Sequence, residues 1–357
     1  MTIERQQTDL RDPRSFDHVG RDVGARGFVA GRVLADLADH DDRIVCAASD
    51  LKYVTQMALF ETRHPQRFIQ FGISERNMIT AGAGLATVGL VPYVSTFACF
   101  SGLLAYENIR TDLAYPRLPV RILATHAGIA MGYFGTSHHA TEDIAALRAV
   151  ADLTVLSPSD AASTESLLRG TVDHPGPIYF RLGRGREADI YTGDRTAPTG
   201  PGAPTPLREG TDVLVIATGF PVGNAVAAAE GLAAEGLSVT VLDAYTLKPF
   251  DDAAVARHAA GHRAVVTVEE HNVLGGLGTM VVEALAAHRV PVSVHKHGLR
   301  DEFALVGPPA HLYRYYGLDA TGIATVVRRA AVDGADSRRP LWGADDARAV
   351  LAEVSGR

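Results

Sequence analysis

The chain has 357 residues, of which 46% are hydrophobic and 21% charged, a balance typical of globular proteins and not of disordered ones. Its formal net charge of −7 argues against a nucleic-acid partner, which would require clustered basic charge. Two cysteines, Cys46 and Cys99, are too few for a disulfide framework or a cysteine-rich zinc site, and they favour a reducing, cytoplasmic location.

Short apolar runs alternate with helical patterns through the first half of the chain. Residues 1–20 are polar and irregular and are predicted to form an N-terminal tail. Alternating strands and helices after this tail predict a mostly parallel sheet covered by helices on both faces. The predicted strands are residues 43–49, 67–71, 90–96, 119–126, 153–158 and 177–182, and helical stretches between them include residues 142–150 and 160–169.

The alternation stops at residues 191–210 and then resumes. This stretch is crowded with Pro, Gly and Thr and is predicted to be an interdomain linker. The predicted fold class is α/β, with two doubly wound, mostly parallel-sheet domains at residues 21–190 and 211–335 and a C-terminal extension at 336–357. In the second domain, strands are predicted at residues 212–219, 237–243, 263–270 and 291–295, and helices at 222–234, 252–260, 278–288 and 320–331.

One long segment, residues 80–106, contains no charged residue and has the length of a membrane span. It also holds several glycines and Pro92, which would break such a helix. A helix, a strand and a second helix joined by turns in a large core explain the segment better. We therefore predict no membrane partner.

Common nucleotide and metal motifs are weak or absent. The glycines of residues 81–89 lie inside a helical stretch, where close packing explains them, and those of residues 271–278 favour a turn over an anion site. His138 and His139 are adjacent, so they make a poor chelate, and no metal ligands are predicted in this chain. Neither a G-x-S-x-G nucleophile elbow nor a phosphate-binding G-x-x-x-x-G-K-[ST] loop occurs.

Polar and aromatic residues follow several predicted strands at their carboxyl ends, where parallel sheets place their sites. A carboxylate, aromatic rings, histidines and arginines at these positions could line one cleft, although spacing alone fits ordinary loop residues equally well. The candidates are Glu75, Phe97, Phe100, His126, His138, Arg181 and Arg184.

Several ordered blocks of sequence resemble the transketolase family. Residues 71–100, FGISERNMITAGAGLATVGLVPYVSTFACF, look like its pyrimidine-binding domain, and residues 125–160 and 176–184 resemble the blocks that follow. In the second half, VIATG, VLDAYTLKPFD and VEEHNVLGGLG resemble the C-terminal domain of the family. Together these blocks cover about residues 25–330.

The resemblance implies a cofactor and a partner. Transketolases also have an N-terminal domain whose GDG…N motif grips the diphosphate of thiamine diphosphate through Mg²⁺, and no GDG occurs here. The chain is therefore similar to the C-terminal subunit of a split, two-polypeptide transketolase. Mg²⁺ would be held by a separate N-terminal subunit, in a heterotetramer with two copies of each subunit. The implied reaction transfers a two-carbon ketol unit from a ketose or its phosphate to an aldose or its phosphate.

The resemblance also implies cofactor-binding residues. Glu75 aligns with the glutamate that hydrogen-bonds N1′ of the aminopyrimidine and activates the cofactor. Phe97 and Phe100 match aromatic residues beside that ring, although plain core packing also explains Phe97. Asp50 matches an aspartate near the cofactor.

Substrate-binding roles follow from the same resemblance. His126 and His138 match channel histidines that bind sugar hydroxyls or phosphate and move protons. Arg184, with Arg181 as second choice, matches an arginine that binds the acceptor phosphate. Phe134 stands where transketolases have an acidic residue that contacts a donor hydroxyl, and this departure predicts a different substrate preference.

Three alternatives remain open. One is a 2-oxo acid dehydrogenase beta-type subunit, and another is a deoxyxylulose-phosphate-synthase-like enzyme. The third is a catalytically silent binding or scaffold homologue. The blocks STFACF and GTSHHATED favour a transketolase over the dehydrogenase, and the presence of Glu75, Phe100, His126 and His138 argues against the silent homologue.

Overall fold

The structure is a computed structural model that describes residues 28–185, 187–333 and 341–355. The tail predicted at residues 1–20 lies outside these ranges. The strands are β1 (Ile44–Ala48), β2 (Phe68–Gln70), β3 (Val91–Phe97), β4 (Arg121–Thr125), β5 (Thr154–Leu156), β6 (Ile178–Arg181), β7 (Thr205–Arg208), β8 (Val213–Ala217), β9 (Val239–Asp243), β10 (Thr246–Lys248), β11 (Ala264–Asn272) and β12 (Ser293–Leu299).

Helices connect most of these strands. They are α1 (Ala30–Ala38), α2 (Met57–Arg63), α3 (Glu75–Thr87), α4 (Tyr106–Asn108), α5 (Asp143–Leu147), α6 (Ala161–Gly170), α7 (Pro221–Ala234), α8 (Asp252–Ala259), α9 (Leu277–Ala287), α10 (Pro309–Tyr315), α11 (Ala320–Asp333) and α12 (Ala344–Ser355). Wider, π-type turns occur at Cys99–Leu104 and Ile109–Ala114.

The first sheet has seven strands in the order β10-β5-β6-β4-β3-β1-β2. All its neighbouring strands pair in parallel except β10, which runs antiparallel to β5. Every residue of β1, β3 and β4 is buried, because helices cover both faces of the sheet. The charge-free segment 80–106 therefore contains a fully buried strand, β3, and no helix within the described ranges is long and apolar enough to cross a membrane.

The second sheet has five strands in the order β12-β11-β8-β9-β7, parallel except for β7. The predicted α/β fold with two mostly parallel sheets is confirmed. Strand β7 lies inside the stretch predicted as a linker, where it pairs with β9 at the edge of the sheet. Its sequence, TPLR, has little apolar character and contains Pro206, which edge strands tolerate and central strands do not.

The two halves of the chain share one core. Strand β10 follows β9 of the second sheet but joins the edge of the first sheet. Its Leu247 is buried in an apolar cluster that also contains Val155 and Tyr179 of the first sheet and Leu214 and Leu242 of the second. The residues at the carboxyl ends of both sheets can therefore contact each other directly.

Asp243, the last residue of β9, is a buried carboxylate between the two halves. Its Oδ2 accepts hydrogen bonds from Ser159 Oγ at 2.6 Å and Tyr191 OH at 2.8 Å, whereas Oδ1 has no such partner among the described residues. Burial raises the pKa of Asp243 from 3.8 to about 7. The folded chain therefore binds this proton more tightly than the unfolded chain.

The contribution of Asp243 to stability is consequently present below the unfolded pKa and is lost as the pH rises through about 7. In the wild-type chain, the free energy of unfolding should fall as the pH rises from about 5 to about 8. We expect this fall to be smaller by roughly 2–3 kcal/mol in Asp243→Asn. Urea denaturation at both pH values measures this difference. Asp194→Asn, at an exposed carboxylate, is the matched control. Equal pH dependence in Asp243→Asn and the wild-type chain would contradict the prediction.

Candidate active site

The carboxyl ends of β1, β3 and β4 meet at one edge of the first sheet, because these strands are adjacent and parallel. Phe97 ends β3, and His126 directly follows β4. Glu75 begins α3 beyond the end of β2, at the same edge. The topology of the sheet thus gathers residues that lie far apart in the sequence.

Two histidines and three phenylalanines form a ring cluster at this edge, which we define as Phe97, Phe100, His126, Phe134 and His138. Phe97 lies with its ring centroid 4.3 Å from that of His126 and 5.9 Å from that of Phe100. His138 meets Phe100 edge-on at 5.3 Å and Phe134 at 5.0 Å. The structure therefore brings together five of the residues predicted for the site.

His126 occupies a strained position. It is a non-glycine residue with φ of 58°, a left-handed conformation that persists only where the surroundings enforce it. Its backbone N–H donates to the Gly183 carbonyl at 3.0 Å, and its Nδ1 lies 3.0 Å from Thr125 Oγ1. The ring is buried between Phe97 and Phe28, so its orientation is fixed.

His138 and Phe134 lie on the loop that follows β4 and are more accessible. His138 is half-buried, and its Nδ1 lies 2.9 Å from Ser137 Oγ, which leaves Nε2 as the nitrogen available to a ligand. Phe134 is 60% exposed, and its ring packs against that of His138 with the centroids 5.0 Å apart.

Glu75 is a buried carboxylate with an unused hydrogen-bonding capacity. Only 6% of the residue is exposed, and its carboxylate makes no hydrogen bond or ion pair within the described part of the chain. Cys99, one residue before Phe100, lies close enough for the charge of Glu75 to act on its thiol. Burial, with the charges of Asp143 and Glu75 adding to it, raises the pKa of Cys99 to about 12. The carboxylate of Glu75 is therefore free to accept or share a hydrogen bond with a ligand that reaches this end of α3.

Arg181 and Arg184 have different surroundings. Arg181 is buried, its Nε lies 3.0 Å from Asp143 Oδ2, and its Nη2 donates to the carbonyls of Ala140 and Glu270. Such a guanidinium belongs to an interior ion pair, which favours Arg184 over Arg181 as a substrate-binding residue. Arg184 is half-buried and lines a cavity of about 160 Å³ between the two halves of the chain, so it remains the candidate for phosphate binding.

The remaining predicted residue, Asp50, is exposed just beyond the end of β1. Sequence analysis missed Phe28, whose ring lies 5.5 Å from that of His126. It also missed two residues of the second half: Glu270, which accepts a hydrogen bond from the loop after β4, and Tyr313, whose hydroxyl donates to Glu270. The one signal for Glu270 was a pair of acidic residues ending an apolar strand. Within the described ranges, no three His, Cys, Asp or Glu side chains are grouped to hold a metal ion.

Comparison with known proteins agrees with this architecture of two α/β domains. Residues 27–187 match the transketolase pyrimidine-binding domain, and residues 203–323 match the transketolase C-terminal domain. The chain belongs to the transketolase family. The resemblance seen in the sequence is thereby confirmed.

The similar proteins include separate C-terminal sections and subunits. A putative transketolase C-terminal section from Methanocaldococcus jannaschii is 37% identical over 294 residues, which cover 82% of this chain and 92% of the relative. An apulose-4-phosphate transketolase subunit from Phocaeicola vulgatus is 36% identical over 290 residues, covering 81% and 92%. A solved split-gene transketolase, described as an inactive β4 tetramer, aligns with a TM-score of 0.78 and 38% identity over 87% of this chain and 99% of that one.

Proposed function

We propose that this chain is the C-terminal subunit of a thiamine-diphosphate-dependent enzyme that transfers a two-carbon ketol unit from a ketose or its phosphate to an aldose or its phosphate. The observation that carries the proposal is Glu75, a buried carboxylate with no hydrogen bond within the described part of the chain, beside the ring cluster. Thiamine diphosphate, when bound, supplies the nucleophilic carbon and the electron sink for breaking and forming the carbon–carbon bond.

The residues present fit the aminopyrimidine of this cofactor. Glu75 would hold and exchange a proton with a ring nitrogen, which gives the carboxylate the partner that it lacks among the described residues. Phe100 and Phe97 would pack against the ring. Asp50, exposed beyond β1, would lie at the edge of the same site.

The histidines and Arg184 would act on the sugars. His126 has a fixed ring and would orient a hydroxyl or carbonyl group, whereas the more accessible His138 would donate and accept protons during transfer. Arg184 would bind an acceptor phosphate, for which its planar, forked guanidinium is suited. Together these groups hold the sugar, while Phe134 limits access on the solvent side.

A separate N-terminal subunit would complete the site and hold Mg²⁺. Two apolar side chains near Glu75 support such a partner: Ile73 is 84% exposed and Leu104 is 47% exposed. This chain covers 92% of the length of two relatives, which are described as a putative transketolase C-terminal section and as one subunit of a transketolase. The solved tetramer of β chains is described as inactive, which also supports a need for a second kind of subunit. We propose a heterotetramer with two copies of each subunit in the cytoplasm.

The test is to co-express this chain with a candidate N-terminal subunit and to measure ketol transfer from a ketose phosphate, with thiamine diphosphate and Mg²⁺ present. We expect activity in the pair and none in either chain alone. Decarboxylation of 2-oxo acids without ketol transfer would instead favour the dehydrogenase-type alternative. Condensation of a 2-oxo acid with an aldose phosphate would favour the deoxyxylulose-phosphate-synthase-like alternative. A stable pair without cofactor binding would favour a silent homologue.

Phe134→Asp is expected to change donor preference. A carboxylate at this position accepts a hydrogen bond from a donor hydroxyl, whereas a phenyl ring does not, and such a bond to a charged group contributes about 1.5–3 kcal/mol. The ratio of kcat/KM values for a hydroxylated ketose phosphate and a donor lacking that hydroxyl should therefore rise by roughly tenfold or more. Tyr133→Asp, at an equally exposed neighbouring residue, controls for the added charge. An unchanged ratio in Phe134→Asp would count against a selectivity role.

A further inference from the structure

The loop between β4 and α5, residues 126–142, is attached to the second half of the chain. We call it the β4–α5 loop; it carries His126, Phe134 and His138. The Ile129 N–H donates to Glu270 Oε1 at 2.7 Å, near the amino end of the loop. Two further backbone hydrogen bonds fasten its middle and its end: Gly307 N–H to the Gly132 carbonyl at 3.2 Å, and Asn272 N–H to the Thr141 carbonyl at 2.8 Å.

Glu270 is the one side chain among these attachments. It lies near the end of β11, is 2% exposed, and its Oε1 also accepts a hydrogen bond from Tyr313 OH at 2.9 Å. The backbone of Gly128, at φ of 63°, passes so close that an added Cβ would lie 2.2 Å from Glu270 Cδ. The loop thus rests directly on this carboxylate, with no room for a side chain between them.

A carboxylate is an expensive group to bury for packing alone, because an apolar side chain of similar volume avoids the desolvation cost. Here one carboxylate oxygen accepts from two donors, the amide of Ile129 in the loop and the hydroxyl of Tyr313 in α10. Tyr313 is held in turn by stacking of its ring on Phe220, with centroids 4.3 Å apart. The geometry is that of a support for the loop.

We propose that Glu270, braced by Tyr313, is a positioning residue that fixes the β4–α5 loop and, through it, the placement of His138 and Phe134 in the ring cluster. The catalytic consequence rests on the proposed function; the structural consequence does not. Because Glu75 is on α3 and not on this loop, loss of the support should affect the sugars and spare the cofactor.

Glu270→Ala is the principal test, with hydrogen–deuterium exchange of the full-length chain, both alone and in complex with its partner, as the first readout. Loss of the acceptor for the Ile129 amide should speed exchange in loop peptides by roughly tenfold, as expected for about 1–1.5 kcal/mol of lost protection. Glu270→Gln keeps an acceptor oxygen at the same place and should restore wild-type exchange. If the loop were held only by the negative charge of Glu270, loop exchange in Glu270→Gln would be as fast as in Glu270→Ala.

Glu269→Ala is the matched control. Glu269 is the neighbouring buried carboxylate, but it accepts hydrogen bonds from the Leu277 and Gly278 N–H groups at the start of α9, at 2.7 and 2.9 Å. We expect its replacement to speed exchange in α9 and not in the loop. Equal loop exchange in Glu270→Ala and the wild-type chain, or the same loop acceleration in Glu269→Ala, would overturn the proposal.

The second readout is steady-state kinetics of the complex. Glu270→Ala should raise the KM for the sugars and lower kcat/KM by roughly 10- to 100-fold, while the Kd for thiamine diphosphate stays at the wild-type value. If Glu270→Ala also raised the Kd for thiamine diphosphate, the proposal that Glu270 acts only through the loop would be overturned. If the wild-type complex shows no ketol transfer, the proposed function fails, and the exchange experiment still decides whether Glu270 holds the loop.

Tyr313→Phe covers the case in which Glu270→Ala does not fold. This variant removes a single hydroxyl and keeps the ring against Phe220, so the fold should persist. We expect faster exchange confined to the β4–α5 loop, by a smaller factor than in Glu270→Ala. Unchanged loop exchange in Tyr313→Phe, where Glu270→Ala is unfolded, would overturn the proposal.

Discussion

Replacing Glu75 with glutamine is expected to reduce ketol transfer by the partnered enzyme by about 10²- to 10⁴-fold. Glutamine has nearly the same shape, but its amide cannot hold and release the proton that a carboxylic acid shares with a ring nitrogen. Glu75 is 6% exposed and lies at the amino end of α3, so the substituted amide should stay in the same place as the carboxylate. The loss should therefore appear in kcat even at saturating sugar concentrations.

The fold should tolerate this substitution. The Glu75 carboxylate makes no hydrogen bond or ion pair in the part of the chain that the structure describes, so none is lost there when the charge is removed. Circular dichroism and co-purification with the partner should match the wild-type protein. Glu107→Gln, at an exposed carboxylate paired with Arg110, is the control and should retain activity. Near wild-type turnover by Glu75→Gln would contradict the cofactor-activating role.

The parts of the site on the first sheet could be predicted from the sequence, and the reason is geometric. Buried parallel strands are continuous apolar runs, so β3 and β4 were recognisable, and their carboxyl ends fix the positions of Phe97 and His126. Phe100 and His138 follow within short distances along the chain. Local pattern and sheet topology together were enough to place these residues at one edge.

The contacts between the two halves could not be predicted in this way. Strand β10 is three residues long, TLK, and its pairing with β5 depends on where the second sheet lies. Glu270 and Ile129 are separated by 141 positions, and neither has a local pattern that points to the other. For a related reason, the sequence did not reveal the ion pair of Arg181. An arginine at a strand end is equally compatible with a ligand site and with a buried partner such as Asp143 from a distant loop.

The second large effect concerns stability. Arg181→Met should lower the free energy of unfolding of the chain by about 3–5 kcal/mol, because it leaves Asp143 buried and unpaired. Asp143 is fully buried and accepts a further hydrogen bond from Tyr179 OH at 3.0 Å. Burial alone would lower the pKa of the Arg181 guanidinium. The negative charges of Asp143 and Glu270 outweigh this effect and raise that pKa. Arg181 therefore remains charged at any pH used in the assay.

A double-mutant cycle separates the ion pair from its individual members. Arg181→Met and Asp143→Asn should each destabilise the chain strongly, whereas the double variant should recover a large part of the loss, since neither member of the pair is left charged without the other. Urea denaturation of the four proteins measures the coupling. Arg110→Met, which breaks the exposed pair with Glu107, should shift the midpoint little. If Arg181 bound a substrate phosphate instead, its replacement would raise the KM for phosphorylated sugars without destabilising the chain. Strictly additive effects in the cycle would show that Arg181 and Asp143 stabilise the chain independently.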